Sequence, residues 1–176
     1  SVGSALVSHP AIKAVGFTGS TAGGTALMKI ASERSEPIPV YAEMGSVNPV
    51  ILLPQALANR AGTIASGLHV SATMGVGQFC TNPGIVFIKK SPDGDAFIED
   101  FVHKMKESAA QVMLNASIRN AYYDGVNHLE NNSRVTTHVA NAEKGSNGAC
   151  LGTTAVFEVN GSTFLDDESL SHEIFG

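Results

Sequence analysis

The sequence predicts an α/β fold, on three observations. Short stretches with β-branched and aromatic residues (AIKAVGFTGS, VYAEM, IVFIKK, ACLGTTAVFEVN) recur along the chain. Runs with helical period lie between them. Glycine, proline and asparagine punctuate the junctions, as an alternation of strands and helices requires. With 43% apolar and 15% charged residues over 176 positions, the chain suits a soluble globular protein holding one sizeable core or parts of two domains.

AIKAVGFTGS, residues 11–20, reads as a strand that ends at Gly19 and Ser20, where the helix-favouring run TAGGTALMKIASER begins. Pro37 and Pro39 stop that helix, and VYAEM is a second short strand entering GSVNPVILLP. The result is a βαβ-like unit whose two strands could run in either relative direction. After Pro54, QALANRAGTIASGLHVSATMG is helical in period despite Gly62 and Gly67, and it breaks at GVGQFC, so that Cys80 follows a helix end. IVFIKK is a strand and SPDG a turn. DAFIEDFVHKMKESAAQVM is an amphipathic helix over 95–113, with Phe97, Phe101, Met105 and Ala109 along one face. Residues 115–148, rich in Asn, Ser and Gly, receive no element, and ACLGTTAVFEVN closes the series as one strand. A boundary near residues 45–50 separates the first unit from a second α/β layer.

Charge and composition exclude several classes of function. The net charge of −5 forms no basic stripe, so nucleic acid and anionic membrane surfaces are not expected partners. No apolar run reaches the ~18 residues of a membrane span, and the N-terminus lacks the pattern of a signal peptide. Cys80 and Cys150 do not make a disulfide framework, which points to a reducing cytoplasm. With six scattered histidines they show no metal-ligand spacing, and no metal is expected. The opening SVGSALVSHP and the closing SLSHEIFG read as the ends of an excerpt.

Three places could carry chemistry. GFTGS is a glycine-bearing turn entering a helix, where backbone N–H groups favour an anion; many ordinary strand-to-helix turns look the same. Paired Gly23 and Gly24 weaken the helix unless something packs closely on them. Glu43, inside the apolar VYAEMG, is either turned to solvent or part-buried as a general base. Cys80 in GQFCTNPG is either a buried inert thiol or a nucleophile, and Cys150, in an apolar strand, has the stronger claim to the inert role. His69 is a conceivable base for Cys80, although its position in the sequence neither requires nor forbids contact.

Taken in order, FTGS (17–20), EMGS (43–46) followed by NP, GQFC (77–80) and HEIFG (172–176) resemble four successive landmarks of the aldehyde dehydrogenase superfamily. The wording EPIPVYAEMGSVNP and GQFCTNPG is similar to the branch with bacterial 2-oxoglutarate semialdehyde and fatty aldehyde dehydrogenases. The resemblance implies a homo-oligomeric cytoplasmic enzyme that takes a small-molecule aldehyde and NAD or NADP, in a chain of roughly three times this length. Residues 1–47 would be the C-terminal part of a Rossmann-like NAD(P)-binding domain. Residues 48–176 would be most of a catalytic thiol domain, incomplete at its C-terminal end. Cys80 would be the nucleophile and Glu43 the base that activates the hydrolytic water. Gly19 and Ser20 would meet the cofactor pyrophosphate, and Glu173 and Phe175 the nicotinamide ribose and ring. The family's second oxyanion donor, an upstream asparagine, is absent here, so the chain by itself is expected to be inactive. A catalytically dead structural or oligomerisation module is the alternative. Two departures stand out: Ser46 and Val47 replace the usual glycine and lysine, and His172 replaces a glutamate. Neither removes a catalytic group.

Overall fold

A computed structural model describes residues 1–140 and 150–176. The polar, element-free reading of residues 141–148 and the first residue of the last predicted strand lie outside the described residues. The chain divides into two compact units, Ser1–Ser46 and Val47–Gly176.

The first unit begins with a helix that the sequence reading did not assign, α1 (Val2–Ser8). It is too short to display a period, yet Ser1 caps it by accepting the Ser4 N–H at 3.3 Å, and Val7 is buried. Strand β1 (Val15–Thr18), helix α2 (Thr21–Ser32) and strand β2 (Val40–Glu43) follow. The two strands are parallel, in register from Val15 opposite Val40 to Thr18 opposite Glu43, which settles the direction left open by the sequence. Val7, Ala31 and Ile38 form the small core. The Arg34 guanidinium donates to the carbonyls of Val7 and Ile12 at 2.9 and 3.0 Å, tying the end of α1 to the strand entry.

The second unit opens with a similar pattern. Strand β3 (Val50–Leu52), helix α3 (Pro54–Thr73) and strand β4 (Val86–Ile88) form a parallel pair with Val50 opposite Val86 and Leu52 opposite Ile88. Pro54 occupies the first turn of α3, where its missing N–H costs nothing. Helix α4 (Pro92–Lys106) packs on α3 through Leu57, Ala65, Leu68 and Phe97, with Ala65 fully buried. The predicted SPDG turn is the start of this helix: Ser91 accepts the Gly94 N–H at 3.1 Å and Pro92 follows it. The helix also ends earlier than predicted. Ser108 donates to the Lys104 carbonyl at 3.2 Å, and the chain then leaves into strand β5 (Gln111–Val112), so Ala109 is not on the helical face. Phe97 is 2% exposed, and Phe97→Ala is expected to lower the unfolding free energy by roughly 3–5 kcal/mol in chemical denaturation, by cavity formation.

Within the stretch predicted to lack elements stand helix α5 (Ala116–Glu130) and strand β6 (Thr136–Ala140). Asn115 caps α5 by accepting the Ile118 N–H at 2.9 Å, and Ile118, Tyr122 and Val126 recur every four residues on its packed face. The polar composition around them hid that period. The last predicted strand is two: β7 (Leu151–Gly152) pairs antiparallel with β5, and β8 (Ala155–Glu158) with β6. Thr154 sits between them and donates to the Met105 carbonyl at 2.8 Å. Helix α6 (Gly161–Asp166) and a single tight turn, Glu168–Ser171, lead to the terminal HEIFG. No helix among the described residues is long and apolar enough to cross a membrane.

Candidate active site

In the first unit, the residues singled out gather where the two parallel strands end and α2 begins. The Gly19 N–H donates to the Glu43 carbonyl at 3.1 Å, extending the β1–β2 pairing by one step into the turn. Ser20 then caps α2, accepting the Gly23 N–H on its hydroxyl at 3.1 Å. No acidic residue lies in the first turn of α2, so nothing there repels an anion from the helix start. The close packing that Gly23 and Gly24 require is present. A Cβ on Gly24 would lie 2.6 Å from the Met44 sulfur, and one on Gly23 3.0 Å from the Phe17 ring. The Glu43 side chain is exposed at this strand end.

In the second unit, α3 runs into a turn at Met74–Gly77 in which three successive residues, Gly75, Val76 and Gly77, have φ of 58°, 59° and 71°. For a β-branched residue such as Val76 this costs on the order of 1–3 kcal/mol, and the surroundings offset it. Val76 packs against the cluster of Met113, Tyr122, Tyr123 and Val126. Asn82 donates from its side chain to the carbonyls of Ala72 and Gly77 at 3.1 and 2.9 Å, and Gln78 accepts the Leu114 N–H at 3.1 Å. Cys80 lies in the next turn, which the Asn82 N–H closes on the Phe79 carbonyl at 3.0 Å, and it is exposed and not in a disulfide. The buried inert thiol is therefore not the state of Cys80. Cys150 fits that description better: it is half-buried, stands just before β7 and packs against the Met113 cluster.

Two asparagines that hold this turn were missed in the sequence. Besides Asn82 there is Asn48, whose side-chain amide donates to the carbonyls of Cys80 at 2.7 Å and Asn82 at 3.0 Å. Its φ is +41°, a conformation asparagine tolerates better than most residues. The available signal was the Asn-Pro pair in both SVNP and CTNP. His69, considered as a base for the thiol, shares a hydrogen bond of 2.8 Å with the Ser108 hydroxyl, between α3 and α4.

The terminal segment comes to the same turn. A Cβ on Gly77 would lie 2.5 Å from the backbone of Gly176, and Ile174 covers Gly125 of α5 closely enough that a Cβ there would meet it at 2.9 Å. Glu173 and Phe175, which flank Ile174, are exposed. Beneath them Tyr122 donates its hydroxyl to the Thr153 carbonyl at 2.6 Å. Burial, and then the neighbouring Tyr123, push its ionisation above the ordinary tyrosine range, so it stays a neutral donor. Among the described residues, the second unit thus brings Cys80 and the HEIFG segment to one loop region, and the first brings Glu43, Gly19 and Ser20 to one strand end. No group of three or more His, Cys, Asp or Glu side chains that could hold a metal ion occurs among the described residues.

Comparison with known proteins agrees with the landmarks. A family model described as "Aldehyde dehydrogenase family" matches residues 1–165. The alpha-ketoglutaric semialdehyde dehydrogenase 2 of Azospirillum brasilense is 47% identical over 99% of this chain, and the alpha-ketoglutaric semialdehyde dehydrogenase of Acinetobacter baylyi is 45% identical over 74% of it. The chain spans only 33% and 25% of the lengths of these relatives. Among solved structures, an NAD-dependent benzaldehyde dehydrogenase from Corynebacterium glutamicum superposes with a TM-score of 0.77 at 25% identity, over 99% of this chain and 38% of that one.

Proposed function

Because the chain belongs to the aldehyde dehydrogenase family, we propose that it carries the thiol and the general base of an NAD(P)-dependent oxidation of an aldehyde to its carboxylic acid. The observation that carries the reading is Cys80: an exposed thiol just past the strained turn Gly75–Gly77, in a loop that Asn48 and Asn82 fasten, where an inert cysteine would be buried. An α-keto acid that bears a terminal aldehyde is the substrate class that the two semialdehyde dehydrogenase relatives favour.

An aldehyde has no leaving group, which explains the residue types. The Cys80 thiolate adds to the carbonyl carbon, a C–S bond forms, and the carbonyl electron pair moves to oxygen. The Cys80 backbone N–H would serve as one donor to that oxyanion. A nicotinamide cofactor, when bound, supplies the two-electron acceptor for the hydride that must leave the carbon. The oxidised product is then a thioester on Cys80. Glu43 takes a proton from water, the resulting hydroxide attacks the thioester, and the C–S bond breaks to return the thiolate and release the acid.

The first unit fits the cofactor's pyrophosphate: Gly19 and Ser20 open a capped helix with no acid in its first turn. We therefore read Ser1–Ser46 as the end of a Rossmann-like cofactor domain and Val47–Gly176 as catalytic. Glu173 and Phe175 would hold the nicotinamide ribose and ring. Oligomeric assembly is part of the same reading, supported by exposed apolar side chains such as Leu114 and Val70, and so is a cytoplasmic location. The test is aldehyde-dependent NAD(P)H formation, by the protein expressed from its complete coding region, with 2-oxoglutarate semialdehyde compared against a simple aliphatic aldehyde. No NADH or NADPH with either substrate would reject the proposal.

A second outcome follows for the closing segment. Gly77→Ala places a side chain at φ +71° and against the Gly176 backbone, so HEIFG must move. The backbone conformation alone costs on the order of 1 kcal/mol. We expect a lower melting temperature and at least roughly tenfold weaker cofactor binding in a fluorescence titration, about 1.4 kcal/mol. Unchanged cofactor affinity would show that HEIFG does not hold the nicotinamide half.

A further inference from the structure

We propose that Asn48 is a positioning residue for the nucleophile, fixing the peptide of Cys80 and hence the direction in which its thiol is presented; this rests on the reading of Cys80 as the nucleophile. Asn48 belongs to the segment after EMGS, far from Cys80 in sequence, yet two of its side-chain hydrogen bonds end on the Cys80 and Asn82 carbonyls. One amide group therefore spans the turn from the nucleophile to the asparagine that anchors it to Ala72 and Gly77.

The fold does not need this amide to join the two segments. Val47 accepts the Gly84 N–H at 2.8 Å, and Val50 donates to the Ile85 carbonyl at 2.9 Å, continuing into the parallel pairing of β3 with β4. Neither of those bonds reaches the Cys80 peptide, to which Asn48 binds directly. Cys80 comes three residues after the left-handed run Gly75–Gly77, and a rotated Cys80 peptide would turn both the thiol and the neighbouring N–H groups. Asn48 also sits at φ +41°, outside the extended region that the following Pro49 favours, a conformation that asparagine tolerates better than most residues.

The experiment compares Asn48→Gly and Asn48→Asp with the wild type, in the protein expressed from its complete coding region. Glycine tolerates the backbone conformation and lacks the donors; aspartate keeps the shape, but when ionised it sets a carboxylate against two carbonyl oxygens. Both variants are expected to bind cofactor with wild-type affinity. Their first-turnover NAD(P)H burst should slow by roughly 100-fold, the scale of an ångström-level misplacement of a reacting group. The rate at which iodoacetamide alkylates Cys80 without substrate should change as well, with Asn48→Asp affected at least as much as Asn48→Gly. Should Asn48→Asp fail to fold, Asn48→Gly carries the same test. A wild-type burst and alkylation rate in either folded variant overturns the proposal. So does an equal loss of cofactor affinity and burst, which would mark a general structural role. Alkylation keeps this result separate from the nucleophile assignment: if Cys80→Ala stays active, that assignment fails, and the effect of Asn48 on the thiol is still measured.

Discussion

Cys80→Ala is expected to abolish aldehyde oxidation, removing the first-turnover burst of NAD(P)H together with steady turnover. Both losses follow from one step, since the covalent bond to sulfur must form before the carbon can release hydride. Deleting a covalent nucleophile costs on the order of 10⁶ in rate, far beyond what a lost packing contact produces. Stability supplies the control. Cys80 is exposed, and replacing an exposed side chain typically changes stability by less than about 0.5 kcal/mol, so Cys80→Ala should melt within a few degrees of wild type. Cys150→Ala offers the opposite pattern: as a half-buried packing residue beside Met113 it should cost some stability and leave the burst intact. A full burst from folded Cys80→Ala sinks the assignment. If Cys150→Ala loses the burst while folded, the two cysteines have been given the wrong roles.

Where sequence reading succeeded and failed has a physical pattern. The first βαβ unit was legible because its strands are short apolar runs bounded by Gly, Ser and Pro, and α3 and α4 because they carry long stripes of Leu, Ala and Phe, whereas β3, only Val50–Leu52, ran unmarked into the segment after EMGS. Helix α5 was not, since its face rests on Ile118, Tyr122 and Val126 amid Asn, Ser and Gly, and the hydrophobic period is diluted. The predicted helix over 95–113 overran because Met113 looks like one more apolar helical position. In the fold it is buried against α5 instead, a distinction that only tertiary packing makes. The single strand predicted at the end of the chain split because Thr154 bonds back to Met105, which local propensity does not record. At the site, the sequence offers Cys80 and Glu43 as the proposed reacting groups. The groups that set the turn could not. Asn48 and Asn82 act through bonds to carbonyls far along the chain, and an asparagine before proline reads first as an ordinary turn residue.

Glu43→Gln should divide the reaction at the thioester. The carboxylate acts on the water that attacks after oxidation, so the variant is expected to release NAD(P)H in a first turnover and then stall with acyl group on Cys80, visible by intact-protein mass spectrometry. Steady turnover should fall by roughly 10²- to 10⁴-fold, the usual contribution of a general base. Glutamine keeps the size of the side chain and removes its proton affinity. The exposure of Glu43 in the first unit means that its loss costs little in folding, which leaves the kinetic readout clean. Its main-chain carbonyl, which accepts from Gly19, is untouched by the substitution, so the entry to α2 and its affinity for the cofactor should be preserved. Two outcomes are decisive. Steady turnover at the wild-type rate would remove Glu43 from catalysis. Absence of both burst and adduct would reassign it to deprotonating the Cys80 thiol, because a base needed only after hydride departure cannot suppress the first turnover.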